Sequence, residues 1–336
     1  MKVFRSYRHP QLASATALTI GNFDGVHRGH QAMLALLKSE ARHRSVPSCV
    51  MTFEPHPRDY FAALADKPEL APPRIATLRD KLTELAACGI DQVVVLPFDA
   101  RLASQLPEAF ISDVLVQGLG AKYILVGDDF RFGAKRAGGY AMLDAAGQRT
   151  GFDVARMNSY EVQSTRVSSS AVRQALAAGD MAQAASLLGR PYSISGHVVH
   201  GRKLGRDLGF RTLNMRFSHW NPAASGVFAV RVHGLTNQPL IGVANLGIRP
   251  SVDANDVNGG RVLLETYCLA WPSALGPDGG YVKIACVELL HKLHDELKYD
   301  GLDALKKGIA KDCDDARAFF AAKHVETTRQ TTRDRI

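Results

Sequence analysis

Two histidines set close behind a run of glycines are the first chemistry-bearing residues in the chain. In TIGNFDGVHRGHQ, residues 19–31, Gly21, Gly25 and Gly29 punctuate the passage from a short apolar strand into a helix, and His27 and His30 arrive at the helix start. Glycine lets the backbone turn sharply and approach a bulky anion, and the unpaired amides of a helix N-terminus face that anion. A spacing of three puts both imidazoles on one helical face as donors to phosphate oxygens, with Gly29 between them leaving room for a ligand. The chemistry this suits is the holding of a nucleotide's phosphates. A plain surface turn with two exposed histidines is the alternative, and the Gly-Asn-Phe-Asp-Gly-Val lead-in weighs against it.

A second candidate cradle lies at 168–173. Ser168, Ser169 and Ser170 can cap a helix whose first turn carries Arg173, which gathers hydroxyls, free amides and a guanidinium in one place. A serine-capped helix with an incidental arginine is the alternative. His56 stands in TFEPHP, where two prolines forbid continuation of the strand and hold the imidazole just past its carboxyl end. In open α/β sheets that edge is where ligands bind.

These groups need elements to place them. Residues 32–40 continue as a helix with Met33, Leu34, Leu36 and Leu37 on its apolar face, and 48–53 reads as a strand. Helix 79–87, strand 92–96, helix 107–117 and strand 123–126 follow, the last opening into GDDFRFG. Strands alternating with helices call for a parallel sheet with right-handed crossovers, the α/β Rossmann-like class. An alanine-rich helix stops near Gly189, and beyond Tyr192 the texture changes. Short strands at 193–200, 227–232, 240–245, 263–269 and 282–289 are separated by Gly, Pro, Asn and Asp without intervening helices, which implies an antiparallel β-barrel. A C-terminal helix over 302–323, with Leu305, Ile309, Cys313, Ala316 and Phe320 at helical spacing, should pack on that barrel. The domains are expected at 1–185 and 186–325, with a disordered polar tail at 326–336.

A length of 336 residues suits two domains, each with its own core. No segment approaches the roughly 20 uninterrupted apolar residues of a membrane span, and the N-terminus lacks a leader's apolar core and cleavage site, so the expected location is cytoplasmic, with no membrane partner. Five scattered cysteines, with no Cys-x-x-Cys pair, argue for reduced thiols, mostly core, rather than a disulfide framework or zinc site. The net charge of +8 favours anionic ligands. The basic residues are dispersed and lack an RNA-binding signature, so phosphorylated small molecules are the expected partners and nucleic acid is not. Oligomeric state is not legible.

His27-Arg28-Gly29-His30 resembles the His-x-Gly-His signature of the nucleotidylyltransferase superfamily. Taken in order, GNFDGVHRGH (21–30), TFEPHP (52–57), VGDDFRFG (126–133), SSSAVRQAL (168–176), GRKLGRDLGF (201–210), GVFAV (226–230), GVANLGIRPSV (242–252), LLET (263–266) and KYDGLDALKKGIAKD (298–312) resemble the prokaryotic bifunctional riboflavin kinase/FAD synthetase family over nearly the whole chain. The resemblance implies an N-terminal Rossmann-like nucleotidylyltransferase domain that adenylylates FMN with ATP to give FAD and pyrophosphate. It also implies a C-terminal β-barrel that phosphorylates riboflavin with ATP to give FMN, both steps using Mg²⁺. His27 and His30 would then hold ATP phosphates, and Gly21, Asn22, Phe23 and Asp24 would shape the nucleotide pocket with His56 close by. Gly127, Asp128, Phe130, Arg131 and Phe132 would line the nucleotide and flavin side, and Ser168, Ser169 and Arg173 would grip the triphosphate. An FMN phosphate oxygen is already anionic, so in-line placement and charge neutralisation suffice, without a covalent nucleophile.

In the kinase half, Gly201, Lys203 and Gly205 fall in a stretch that resembles the family's glycine-rich phosphate loop, and Asn245 in GVANLGIRPSV is expected on the ATP or flavin side. Where the family has Pro-Thr-Ala-Asn, this chain has Arg211-Thr212-Leu213-Asn214, which keeps the two side chains, Thr212 and Asn214, implied to place the metal. Glu265 matches the glutamate implied to take the proton of the riboflavin 5′-hydroxyl. A monofunctional FAD synthetase with a flavin-binding barrel, and a flavin-responsive regulator or nucleic-acid-binding protein, are the other readings the sequence allows.

Overall fold

The computed structural model describes residues 1–158, 160–162, 165–199, 212–217, 221–248, 262–276, 279–281 and 283–333. The chain divides into two compact units, Met1–Pro72 with Asp80–Ala171, and Pro73–Arg79 with Val172–Ile336. The backbone therefore leaves the first unit at 72/73, returns at 79/80 and leaves again at 171/172.

The first unit is built on a parallel sheet of order β1-β4-β3-β2-β5-β6, from β1 (Lys2–Phe4), β2 (Thr16–Ile20), β3 (Ser48–Glu54), β4 (Gln92–Pro97), β5 (Ala121–Gly127) and β6 (Asp153–Met157). Central strands of a parallel sheet are buried on both faces and read as continuous apolar runs, which is why TALTI of β2 is buried at every position. Helices α1 (Arg28–His43), α2 (Pro57–Leu64), α3 (Leu78–Ala87), α4 (Ala100–Ser104), α5 (Pro107–Ala109, running into a π-helix over Phe110–Gly118) and α6 (Tyr140–Thr150) connect them. Leu18, Met51, Val94 and Ile124 of the sheet pack with Phe110, Val114, Leu115 and Leu143 in one core. The chain lays β3 and β4 on one side of β2 and then returns to place β5 on the other. The carboxyl ends of β2 and β5 thus flank the point where strand order reverses, the ligand crevice of open α/β sheets. The edge strands β1 and β6 escape the sequence reading because each is short and only partly apolar.

A two-stranded ribbon, β7 (Glu161–Val162) with β8 (Thr165–Arg166), precedes α7 (Ser169–Ala177) and α8 (Met181–Leu188). The expected 185/186 boundary falls inside α8, which packs on β9 and β14 of the second unit. That unit is a closed antiparallel barrel of order β10-β13-β12-β11-β14-β9, from β9 (Tyr192–Val199), β10 (Thr212–Arg216), β11 (Gly226–His233), β12 (Leu240–Ile248), β13 (Val262–Cys268) and β14 (Ile284–His294). Alternation sets the two faces: Leu213, Thr266, Ala244 and Phe228 form one registered, buried row. On the opposite face Val227, Ala229 and Val243 pack beneath Cys313 and Ala316 of the terminal helix α9 (Leu302–Arg333). This helix runs on through most of the polar stretch read as a disordered tail, which holds neither glycine nor proline to end it. Segment 73–79 joins the barrel through Arg74, whose amide donates to the Asn221 carbonyl at 2.9 Å and whose carbonyl accepts from Ala223 at 3.0 Å. The cysteines are free thiols, and burial pushes those of Cys49 and Cys268 up to about 12.

Candidate active site

The turn after β2 carries Phe23 (φ 49°), Gly25 (φ 84°) and Val26 (φ 41°) in the left-handed region. Glycine adopts that conformation freely, whereas a side chain pays about 1–3 kcal/mol, so the geometry at Phe23 and Val26 must be enforced by its surroundings. The turn delivers His27 as the N-cap of α1, with Nδ1 accepting from the His30 amide at 3.3 Å. An accepting Nδ1 leaves the imidazole proton on Nε2. His27 therefore precedes the helix, and the pair meets by stacking, ring centroids 3.7 Å apart and 16° from parallel, not by sharing a helical face. Gly29 also differs from expectation. A Cβ there would lie 3.2 Å from His27 Nδ1 and 3.4 Å from the Val167 carbonyl, so the glycine makes room for the imidazole and not for a ligand.

Burial first, then the proximity of His27 and the Lys81 ammonium, holds His30 well below the ordinary imidazole value, so it is neutral at neutral pH. Its Nδ1 and the Asn22 Oδ1 are both buried without a hydrogen-bond partner. Buried polar atoms are nearly always paired, so two orphans beside a helix N-terminus mark a polar cradle for a ligand. Phe23 closes the inner side, its ring 4.9 Å from that of His30, and a Cβ at Gly21 would meet the same Phe23 ring at 3.2 Å.

His56, past the end of β3, repeats the His27 arrangement. It caps α2, its Nδ1 accepts from the Arg58 amide at 3.1 Å, and it is buried. Asp24 is buried too, and its carbonyl accepts from Ser169 Oγ at 3.1 Å, while Ser168 Oγ accepts from the Ala171 amide at 3.2 Å. Arg173 is the fifth residue of α7, one turn later than expected, and its Nε donates to the Pro73 carbonyl at 2.7 Å within the second unit. Past β5, Gly127 and Asp128 stand at the crevice, Asp128 ion-paired with Arg166 at 3.3 Å. Phe130 stacks on Phe132 at 5.5 Å, but Phe132 is buried in the hydrophobic core, so its ring supports the loop from beneath. Arg131 is exposed and reaches over Gly139. Sequence reading missed Lys81, which is 0 % exposed on α3, donates to Thr52 Oγ1 at 3.4 Å and lies 4.0 Å from Glu54. A single lysine in an amphipathic helix carries no signal that it faces inward.

In the barrel, strand register assembles the second group. Glu265 on β13 pairs directly with Asn214 on β10 and with Asn245 on β12. Paired residues share a face, so both amides flank the carboxylate, and Thr212, two residues from Asn214, lies on the same side. Asn214 Oδ1 and Asn245 Oδ1 are buried without hydrogen-bond partners. Asn214 Nδ2 donates to the Thr212 carbonyl at 3.4 Å and Asn245 Nδ2 to Glu296 Oε1 at 3.0 Å. Leu213 points the other way, into the barrel. Gly201, Lys203, Gly205 and Arg211 lie outside the described residues.

Residues 9–171 match the FAD synthetase family and residues 188–320 match the riboflavin kinase family. The bifunctional riboflavin kinase/FMN adenylyltransferase of Escherichia coli (strain K12) is 45% identical over 322 residues, 95% of this chain and 98% of that protein. The chain belongs to the bifunctional riboflavin kinase/FMN adenylyltransferase family. The Haemophilus influenzae member is 42% identical, covering 90% of this chain and 94% of its own length. A crystal structure described as a macrolide-efflux protein from Streptococcus pneumoniae shares the fold, with a TM-score of 0.72 at 24% identity, covering 94% of this chain and 99% of that one. The crevice thus belongs to the adenylyltransferase part of the family's architecture and the Asn214-Glu265-Asn245 row to its riboflavin kinase part.

Proposed function

We propose that this chain makes FAD in two steps, phosphorylating riboflavin to FMN in the barrel and adenylylating FMN in the parallel-sheet unit, with ATP as donor in both. The observation that carries the reading is the registered row Asn214, Glu265, Asn245, a carboxylate between two amides whose oxygens lack partners. Glu265 accepts the proton of the riboflavin 5′-hydroxyl as that oxygen attacks the γ-phosphorus of ATP and ADP leaves. Thr212 and Asn214 would hold Mg²⁺, since neutral oxygen donors beside a carboxylate suit a hard cation and Asn214 Oδ1 needs a partner. When bound, the ion neutralises phosphate charge. Arg211 and Leu213 depart from the family pattern, yet Leu213 faces the barrel interior, away from Thr212 and Asn214.

In the adenylyltransferase site the FMN phosphate attacks the α-phosphorus of ATP and pyrophosphate leaves. His27 offers Nε2–H, neutral His30 and Asn22 supply polar atoms, the α1 amides face the anion, and Ser168 and Ser169 hold the remaining phosphate oxygens. Gly21, Phe23, Asp24, His56, Gly127, Asp128 and Phe130 shape the walls. We place the functional division at about 185/186 and the enzyme in the cytoplasm. Incubating purified protein with riboflavin, ATP and Mg²⁺ and separating the flavins tests the reading: FMN and FAD are expected. FAD formed only from supplied FMN would replace it with a monofunctional FAD synthetase.

A further inference from the structure

Lys81 is fully buried, in a protein whose other lysines mostly reach solvent. Lysine is almost never buried without a reason, because an ammonium taken out of water is disfavoured and an apolar side chain of similar length packs as well. Its position supplies the reason. Nζ donates to Thr52 Oγ1 at 3.4 Å and sits 4.0 Å from the Glu54 carboxylate, both on β3, while Thr52 Oγ1 donates to the Asn22 carbonyl at 3.2 Å. An ammonium has no lone pair, so the Thr52 oxygen must accept from it, and the Thr52 hydroxyl proton is thereby directed at Asn22. Asn22 opens the turn in which Phe23 and Val26 hold left-handed conformations and from which His27 emerges.

We propose that Lys81 is a positioning residue of the adenylyltransferase site. Through Thr52 it braces the 21–27 turn, and its ammonium charge, felt at His30, favours the triphosphate of ATP. The inference rests on the assignment of FMN adenylylation to that pair. The titratable groups acting on His30 are His27 from the turn and Lys81 from α3, with Glu54 at the end of β3 facing Lys81. A cation that repels a proton from His30 also attracts an anion to the same place, and an effect exerted equally on bound substrate and transition state appears in KM.

The test uses the full-length protein with FMN and ATP, and riboflavin phosphorylation as the internal control for folding. Lys81→Met should raise KM for ATP roughly tenfold or more, and Lys81→Arg, which keeps the charge, should recover most of the loss. Thr52→Val breaks the brace but keeps the charge, so it should lower kcat. The His30 imidazole signal, assigned by its absence in His30→Ala, should titrate at higher pH in Lys81→Met and at the wild-type position in Thr52→Val. An unchanged KM for ATP together with an unmoved His30 titration in folded Lys81→Met overturns the proposal. Should Lys81→Met not fold, wild-type FAD formation by Thr52→Val overturns it instead. FAD formation surviving His30→Ala would overturn the assignment of the site itself, a result separable from both.

Discussion

Asn214 and Glu265 face each other as a direct pair across β10 and β13, with the amide oxygen of Asn214 buried and lacking a partner. A carboxylate so placed has one neighbour that can orient it and another, Asn245, paired from the opposite strand. Glu265→Gln keeps the shape and removes the proposed proton acceptor, so riboflavin phosphorylation should fall about 10²-fold or more while FAD formation from supplied FMN is retained. Steady-state rates of both half-reactions on one preparation check this. Equal losses in both would dissociate Glu265 from the kinase step.

Leu213 tests whether the departure from the family pattern touches chemistry or packing. It is 4 % exposed, and a Cβ at Gly280 would crowd its Cδ2. Leu213→Ala should therefore destabilise the barrel by about 2–4 kcal/mol through an unfilled cavity. Chemical denaturation measures the loss. Below the midpoint, phosphorylation per folded molecule should stay near wild type.

His30→Ala removes the buried ring stacked on His27, and FAD formation should be lost while riboflavin phosphorylation persists. The two chemistries belong to separate units, so a folded variant lacking both would contradict that division.

His294, at the end of β14, ties the barrel to α9. Burial opposes its charge, but Nδ1 lies 2.6 Å from the Asp295 carbonyl and Nε2 2.8 Å from the Asp312 carboxylate, and these raise its pKa above the ordinary imidazole value. A raised folded pKa contributes stability that is fully present below the unfolded value of about 6.5 and is lost as pH rises through the folded one. Thermal melts of wild type and Asp312→Asn over about pH 5 to 9 should show the widest gap at the acid end, closing as pH rises. A gap that widened with pH would reverse the assigned charge state.

The fragment 172–336 should fold and outlast 186–336 in a thermal melt. Both keep the barrel strands and α9 and lack segment 73–79, but only the longer one carries Val172–Ala177 of α7 and the whole of α8, and α8 packs on β9 and β14. Identical midpoints would show that α8 contributes nothing to the barrel.

The regular elements were legible where a single periodicity governed a stretch. QVVVL announces β4, and 302–323 announces most of α9, because apolar spacing alone determines them. The candidate sites were legible as motifs, but their geometry was not. No spacing rule distinguishes a histidine on a helix from one capping it, as His27 does through Nδ1. Thr212, Asn214, Asn245 and Glu265 are brought together by strand register, a long-range property set by the closing of the barrel. Lys81 stayed hidden because inward orientation depends on which face of α3 meets the sheet.

Segment 73–79 belongs to the barrel unit although its neighbours on both sides belong to the sheet unit. Cleaving the backbone once, between β7 and β8 for instance, would leave the amino-terminal piece still carrying Arg74 and its backbone bonds to Asn221 and Ala223. The two products of such a nick would be a complementation pair, each holding part of what the other needs to complete the barrel unit.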